Sequence, residues 1–262
     1  MSHTRLLEFS PMADNAKTLE LLRKLGIARS RGFVFNLPSG FTCPGALECL
    51  SKADRVTGKI TDGKNTLFRC FSASTEALYT RARDQGWRNF DKLRGLDYEQ
   101  MVQLINESLP ENAEIVRPGV RGDFFNQVYF EAWLAVARLR PGTLFYCYTK
   151  SLNYVIANLD RIPENFIINA SRGGRYDHLI DEYNLKVAEV VYSPEEGEAK
   201  GLPIDHDETH AITKTGNFAL LLHGTQAPGS LASKAIKAMK DNNVQFSYSR
   251  KARNMVGKVT VS

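Results

Sequence analysis

From about residue 112 onward, short apolar runs alternate with amphipathic helical stripes, and this alternation constrains the fold more than any other feature of the chain. Residues 114–120 (EIVRPGV) read as a strand. In residues 127–140, Tyr129, Phe130, Trp133, Leu134, Val136 and Ala137 share one face at helical spacing, and Pro141–Gly142 ends the stripe. Residues 144–149 (LFYCYT) are short, aromatic and strand-like, followed by a helix over 152–159 and a strand over 166–170 (FIINA). Residues 188–192 (AEVVY), 218–223 (FALLLH) and 244–248 (VQFSY) continue the series. A helix over 231–240 lies between the last two, with Leu231, Ala235, Ala238 and Met239 on one side.

One further strand, residues 32–37 (GFVFNL), precedes the series and stops at Pro38–Ser39–Gly40. Strands that alternate with helices build βαβ units and a mostly parallel sheet. The expected class is α/β: a full or partial (β/α) TIM-like barrel of six to seven parallel strands, with a doubly wound open sheet as the alternative. Residues 1–262 are expected to form a single barrel domain, with an insertion at about 41–112 after the first strand. That insertion is expected to hold a hairpin at Thr61–Asp62–Gly63 and helices around 75–83 and 98–108.

Composition excludes several classes. With 43% hydrophobic residues in 262, the chain can bury a core large enough to offset its conformational entropy, so neither disorder nor a stapled miniprotein fits. No apolar run approaches the ~18 residues of a membrane span, and residues 1–9 lack a signal-peptide core. A cytoplasmic chain without a membrane partner is expected. Net charge is +5, unevenly placed: residues 189–208 hold seven acids and one lysine, residues 234–258 seven bases and one acid. The basic C-terminal segment makes nucleic acid a candidate partner. No glycine-rich phosphate loop follows any strand.

Barrels carry their chemistry at the C-terminal ends of the strands. There the sequence places Arg121–Gly122–Asp123, Lys150, Ser171–Arg172–Gly173–Gly174 and His223. Asp123, Lys150 and His223 are candidate catalytic groups; Arg121, Ser171 and Gly173 are candidate cofactor contacts, acting on an unknown small molecule. Lys150 could pair with an anionic group of that ligand. His206 and His210 lie four apart, in an acidic segment with the character of a solvated loop.

Cys43, Cys49 and Cys70 fall within 28 residues directly after the first strand, spaced Cys-x5-Cys-x20-Cys. Zinc sites want tighter pairs and four protein ligands, whereas three spaced thiolates suit a [4Fe–4S] cluster with one iron left open. Cys147, in LFYCYT on the strand face of Phe145 and Thr149, is the candidate fourth metal ligand. The competing readings are a non-enzymatic viral structural or host-interaction protein whose thiols bind zinc or stay free, and a nucleic-acid binder.

The stretch LPSGFTCPGALECLSKADRVTGKITDGKNTLFRCFSASTEALY, with GVRGDFFNQVYFEAW and FYCYTKS, resembles an uncharacterised family of phage and plasmid proteins known by a mycobacteriophage gene-product number, gene product 88. The resemblance covers roughly residues 30–230. Its marks fall on Cys43, Cys49 and Cys70, on Arg121 to Phe124, and on Tyr148 to Ser151, and it implies a protein of the host cytoplasm. The placement of a cysteine loop after strand one is also similar to the radical SAM superfamily, which implies S-adenosylmethionine as a second cofactor. That superfamily's usual Cys-x3-Cys-x2-Cys is not the spacing here.

Overall fold

The apolar runs become the strands of one sheet. A computed structural model describes residues 6–246. In chain order, β1 (Phe9–Pro11) and α1 (Ala16–Leu25) precede β2 (Gly32–Asn36). The insertion follows with β3 (Ser51–Ala53), β4 (Ile60–Asp62), α2 (Phe71–Leu78), α3 (Thr80–Leu93) and α4 (Tyr98–Ser108). The alternating part then runs β5 (Ile115–Arg121), α5 (Gln127–Leu139), β6 (Leu144–Thr149), α6 (Leu152–Ile156), β7 (Phe166–Ser171), α7 (His178–Glu182), β8 (Val187–Val191), α8 (Pro194–Ala199), β9 (Phe218–Leu221) and α9 (Leu231–Asp241).

The seven-stranded sheet has the order β1-β2-β5-β6-β7-β8-β9, and every neighbouring pair is parallel except β1 with β2. Its strand order follows the chain in one direction, without the reversal of a doubly wound sheet. The sheet does not close, which corrects the expectation of a full barrel: β1 and β9 remain as edges. Residues 244–246 of the expected last strand form no strand, for a local reason. Asn243 takes a left-handed conformation, and the Val244 N–H returns to the Met239 carbonyl at 2.9 Å, so residues 242–244 terminate α9. Residues 247 and 248 of that expected strand lie outside the described residues, as do four of the seven bases of the C-terminal segment.

Alternation along the strands gives the sheet two apolar faces. Phe35, Val116, Phe145, Cys147 and Phe166 pack against Leu93, Met101, Ile105, Tyr129, Phe130 and Trp133 from α3, α4 and α5. On the opposite face, Ile115, Tyr146, Ile167, Ala188 and Phe218 pack against Met12 and against Leu21 and Leu22 of α1. Helix α1 starts where the Asn15 side chain accepts the Lys17 N–H and ends at Gly26 in a left-handed conformation. The residues that α1 and its flanks cover come from the N-terminal halves of the strands. The C-terminal halves of that same face line a cavity.

The insertion differs in detail from expectation. The β3–β4 turn is formed by residues 54–59, where Asp54 Oδ1 accepts the Thr57 N–H and hydroxyl, and Thr61 and Asp62 lie inside β4. Tyr79 is extended and separates α2 from α3, replacing the single helix expected at 75–83. Among the described residues no helix is long and apolar enough to cross a membrane.

Candidate functional site

The cavity has a volume of about 1150 Å³ and lies at the C-terminal ends of the parallel strands. Cys43, Cys49 and Cys70 all line it. Two separate chain segments bring them there.

Cys43 follows the turn that ends β2. The Thr42 hydroxyl donates to the Pro38 carbonyl at 2.8 Å, and the Gly40 N–H donates to the Cys43 sulfur at 3.3 Å. The loop from Cys43 to Cys49 is stitched to the end of β7: Arg175 N–H donates to the Gly45 carbonyl at 2.8 Å and Glu48 N–H to the Gly173 carbonyl at 3.0 Å. Gly45 lies so close to the Lys150 carbonyl that a Cβ would collide with backbone. Gly173 is held at φ 94°, with Glu48 Oε2 only 2.7 Å from where its Cβ would stand.

Cys70 arrives on the second segment and directly precedes α2. Its own N–H donates to the Ser51 hydroxyl at 3.3 Å. Gln226 grips the neighbouring backbone, accepting the Arg69 N–H at 2.7 Å and donating to the Arg69 carbonyl at 3.2 Å. Arg69 itself forms a two-pronged ion pair with Asp62.

Burial pushes the Cys49 thiol up to about 12, with nearby Lys150 opposing the rise. Burial raises Cys43 and Cys70 as well; the charges of Asp123 and the other cysteines add to Cys43, while the N–H groups of Ala73 and Ser72 favour the Cys70 thiolate. The Cys70 charge adds to the rise of both Cys43 and Cys49, so Cys70 lies near the other two thiols.

Among the described residues no group of three or more His, Cys, Asp or Glu side chains is placed to hold a single metal ion. A polynuclear cluster makes a different demand, because each thiolate binds a different iron and the ligands stand farther apart. Cys43, Cys49 and Cys70, half-buried on one cavity with the Gly40 N–H donating to the Cys43 sulfur, are the residues that would hold such a cluster.

Cys147 is elsewhere. It is fully buried on the helix-packed face with Phe145, so the candidate fourth ligand points away from the cavity. Asp123 reaches the cavity, but its oxygens serve the backbone: Oδ1 accepts the Phe124 N–H at 2.7 Å and the Thr149 hydroxyl at 2.6 Å, and Oδ2 accepts the Lys150 N–H at 2.9 Å. The Lys150 ammonium donates to the Ser171 hydroxyl and to the carbonyls of Ser171 and Arg172. Lys150 is therefore fully engaged and not placed to pair with a ligand anion. Ser171 lines the cavity as the partner of Lys150, and Gly173 packs on Glu48 and lies outside the lining.

His223 lines the cavity with its Nδ1 2.8 Å from the Leu221 carbonyl and its ring 4.6 Å from that of Phe71. The bond assigns the proton to Nδ1, and burial holds the ring's pKa below its ordinary value, so the imidazole is neutral. Arg121 lines the cavity and donates to Gln85 Oε1 at 3.0 Å. His210 stacks on Phe218, not on a metal-binding helix face.

Residues 7–246 match a protein family described as gene product 88. The chain belongs to the gene product 88 family. Neither a curated protein nor a solved structure matches it. The family match spans both the cysteine-bearing insertion and the whole parallel sheet of this gene product 88 protein.

Sequence reasoning overlooked a second polar group on the cavity floor. Arg117 of β5 is stacked 4.5 Å from the Tyr148 ring centroid, and its Nη1 donates to both Glu208 oxygens at 2.8 Å. Lys17 stands 3.7 Å from Glu208 and from Asp205. Burial pushes the Glu208 carboxyl up, but the Arg117 and Lys17 charges outweigh it and hold the carboxyl below its usual value. The available signal was a charged residue inside the apolar run EIVRPGV.

Proposed function

We propose that this gene product 88 protein is an iron–sulfur protein, with Cys43, Cys49 and Cys70 holding a [4Fe–4S] cluster over a cavity that binds a small molecule. One observation carries the reading: cysteines 27 positions apart at their extremes, on two independently anchored segments, line a single cavity at the strand ends. A packing role would not require three thiols to face the same void.

Bound there, such a cluster supplies single electrons, and an iron without a cysteine ligand accepts an outside donor such as the amino and carboxylate groups of S-adenosylmethionine. The chain's own residues set the stage. Asp123 fixes the Lys150 backbone and Lys150 ties the ends of β6 and β7 together beside Cys49. Phe68 and Phe71 add apolar surface to the same cavity.

Anaerobic reconstitution tests the proposal. The expected product is brown, with about four irons per chain, and Cys43→Ala, Cys49→Ala or Cys70→Ala abolishes the colour while Cys147→Ala retains it. A colourless protein, or one holding stoichiometric zinc in place of iron, overturns it. Incubating the reduced protein with S-adenosylmethionine then separates two roles. Formation of 5′-deoxyadenosine that disappears in Cys49→Ala identifies radical chemistry, and its absence leaves a structural or electron-transfer cluster.

A further inference from the structure

We infer that the floor of this cavity is an oxyanion subsite, in which Arg117, Arg121 and Asn36 hold the carboxylate or phosphate group of a small-molecule ligand. The inference rests on the cavity being the ligand site of the proposed function, and it names the class of ligand.

Three donors define the subsite. Arg117 Nε, Arg121 Nε and Asn36 Nδ2 are shielded from solvent and have no hydrogen-bond partner, and all three residues line the cavity. They come from adjacent strands: β2 and β5 pair in parallel, with Val34 opposite Arg117 and Asn36 opposite Arg121. Asn36 is 1% exposed, and its Oδ1 accepts the Arg121 N–H at 3.2 Å, which leaves the Nδ2 donor as the unpaired end of its amide. Tyr148 adds a hydroxyl without a partner beside Arg117.

The chemistry of the group selects the ligand. Native proteins rarely leave buried donors unpaired, and several in one cavity call for an acceptor. A water molecule would aim its own hydrogens at a wall of donors, whereas a carboxylate or phosphate oxygen only accepts. Charge points the same way. Arg117 is neutralised by Glu208, but Arg121 forms no ion pair among the described residues; its other contacts are the Ala82 carbonyl and Gln85, both neutral. The nearby Glu76 carboxylate is committed to the Ser39 N–H and hydroxyl. With Lys150 engaged by Ser171 and Arg172, the remaining positive charge at the strand ends belongs to Arg121. A volume of about 1150 Å³ far exceeds a bare phosphate, so the oxyanion is one end of a larger molecule.

Thermal unfolding and calorimetric titration of the full chain with inorganic phosphate and with succinate, at ionic strength matched by chloride, test the inference. A saturable rise in Tm with one of the two, absent with chloride, is expected, and whichever acts identifies the ligand group as phosphate or carboxylate. Arg121→Gln should weaken that binding at least tenfold. Asn36→Asp should do the same while cutting no hydrogen bond seen here, because it keeps the oxygen that accepts from Arg121 and converts only the unpaired donor. Cys49→Ala should bind the anion unchanged, which separates this inference from the cluster: a colourless protein that still binds through Arg121 sinks only the iron–sulfur reading. The inference is overturned if neither anion gives a saturable response, if Arg121→Gln and Asn36→Asp bind undiminished, or if Cys49→Ala abolishes binding.

Discussion

The Lys150 ammonium donates to the Ser171 hydroxyl at 2.9 Å and to the Ser171 carbonyl at 3.0 Å, tying the end of β6 to the end of β7 directly beneath the cysteine loop. A lysine predicted from sequence to meet ligand is thus a fastener. Lys150→Met should lower stability by about 1–3 kcal/mol, since it strands buried carbonyl acceptors. Urea melts would measure the loss. Iron loading should fall along with it, because Lys150 also opposes the upward shift of the Cys49 thiol. A variant of unchanged stability would contradict this role.

Gly45 offers a sharper probe of the loop. Its Cβ position is occupied by the Lys150 and Ser151 backbone, which has no side-chain freedom to yield. Gly45→Ala should displace Cys43 and Cys49 from the cavity wall and reduce iron content several-fold. The circular dichroism spectrum should stay that of the parent, because the sheet's apolar faces are untouched.

The three thiols are protonated at neutral pH, since burial pushes Cys49 up to about 12 and raises Cys43 and Cys70 too. Iron must then displace protons to bind. Loading at limiting iron should therefore increase from about pH 6.5 to about pH 8.5, with acid released into weakly buffered solution. Loading independent of pH would show that other groups bind the metal.

Glu208 and Arg117 form an ion pair whose carboxylate side chain is only 4% exposed. Removing one partner leaves a buried charge without compensation, so Glu208→Leu alone should destabilise the protein by about 3–5 kcal/mol. Adding Arg117→Met should recover most of that loss in denaturant melts, because the pair's mutual attraction mainly offsets its own desolvation.

The strands were legible because runs such as FIINA and FALLLH are buried on both faces, and six of them became β2 and β5 to β9 within a residue or two. Strand β1 was not legible: it has three residues, one of them Pro11, and exists only through its pairing with β2. Cys147 shows a subtler limit. Alternation correctly groups it with Phe145, yet LFYCYT is apolar on both faces, so nothing local says which face meets helices and which meets the cavity. Polar residues inside apolar strands do not settle this either. The Asn169 amide on β7 donates to the Cys147 and Ala211 carbonyls at 2.9 and 3.0 Å, whereas that of Asn36 on β2 donates to nothing. Only the packing of the covering elements distinguishes them.

The anchoring of the two cysteine segments also dictates an order of events during biosynthesis. Cys43 and Cys49 are fixed by residues 150 and 173–175, and Cys70 by the grip of Gln226 on Arg69. The ribosome must therefore have made nearly all of the described chain before the three sulfurs can face a common void. If the three thiols hold a cluster as proposed, iron delivered to a nascent chain would find only scattered thiols, and assembly would have to follow folding.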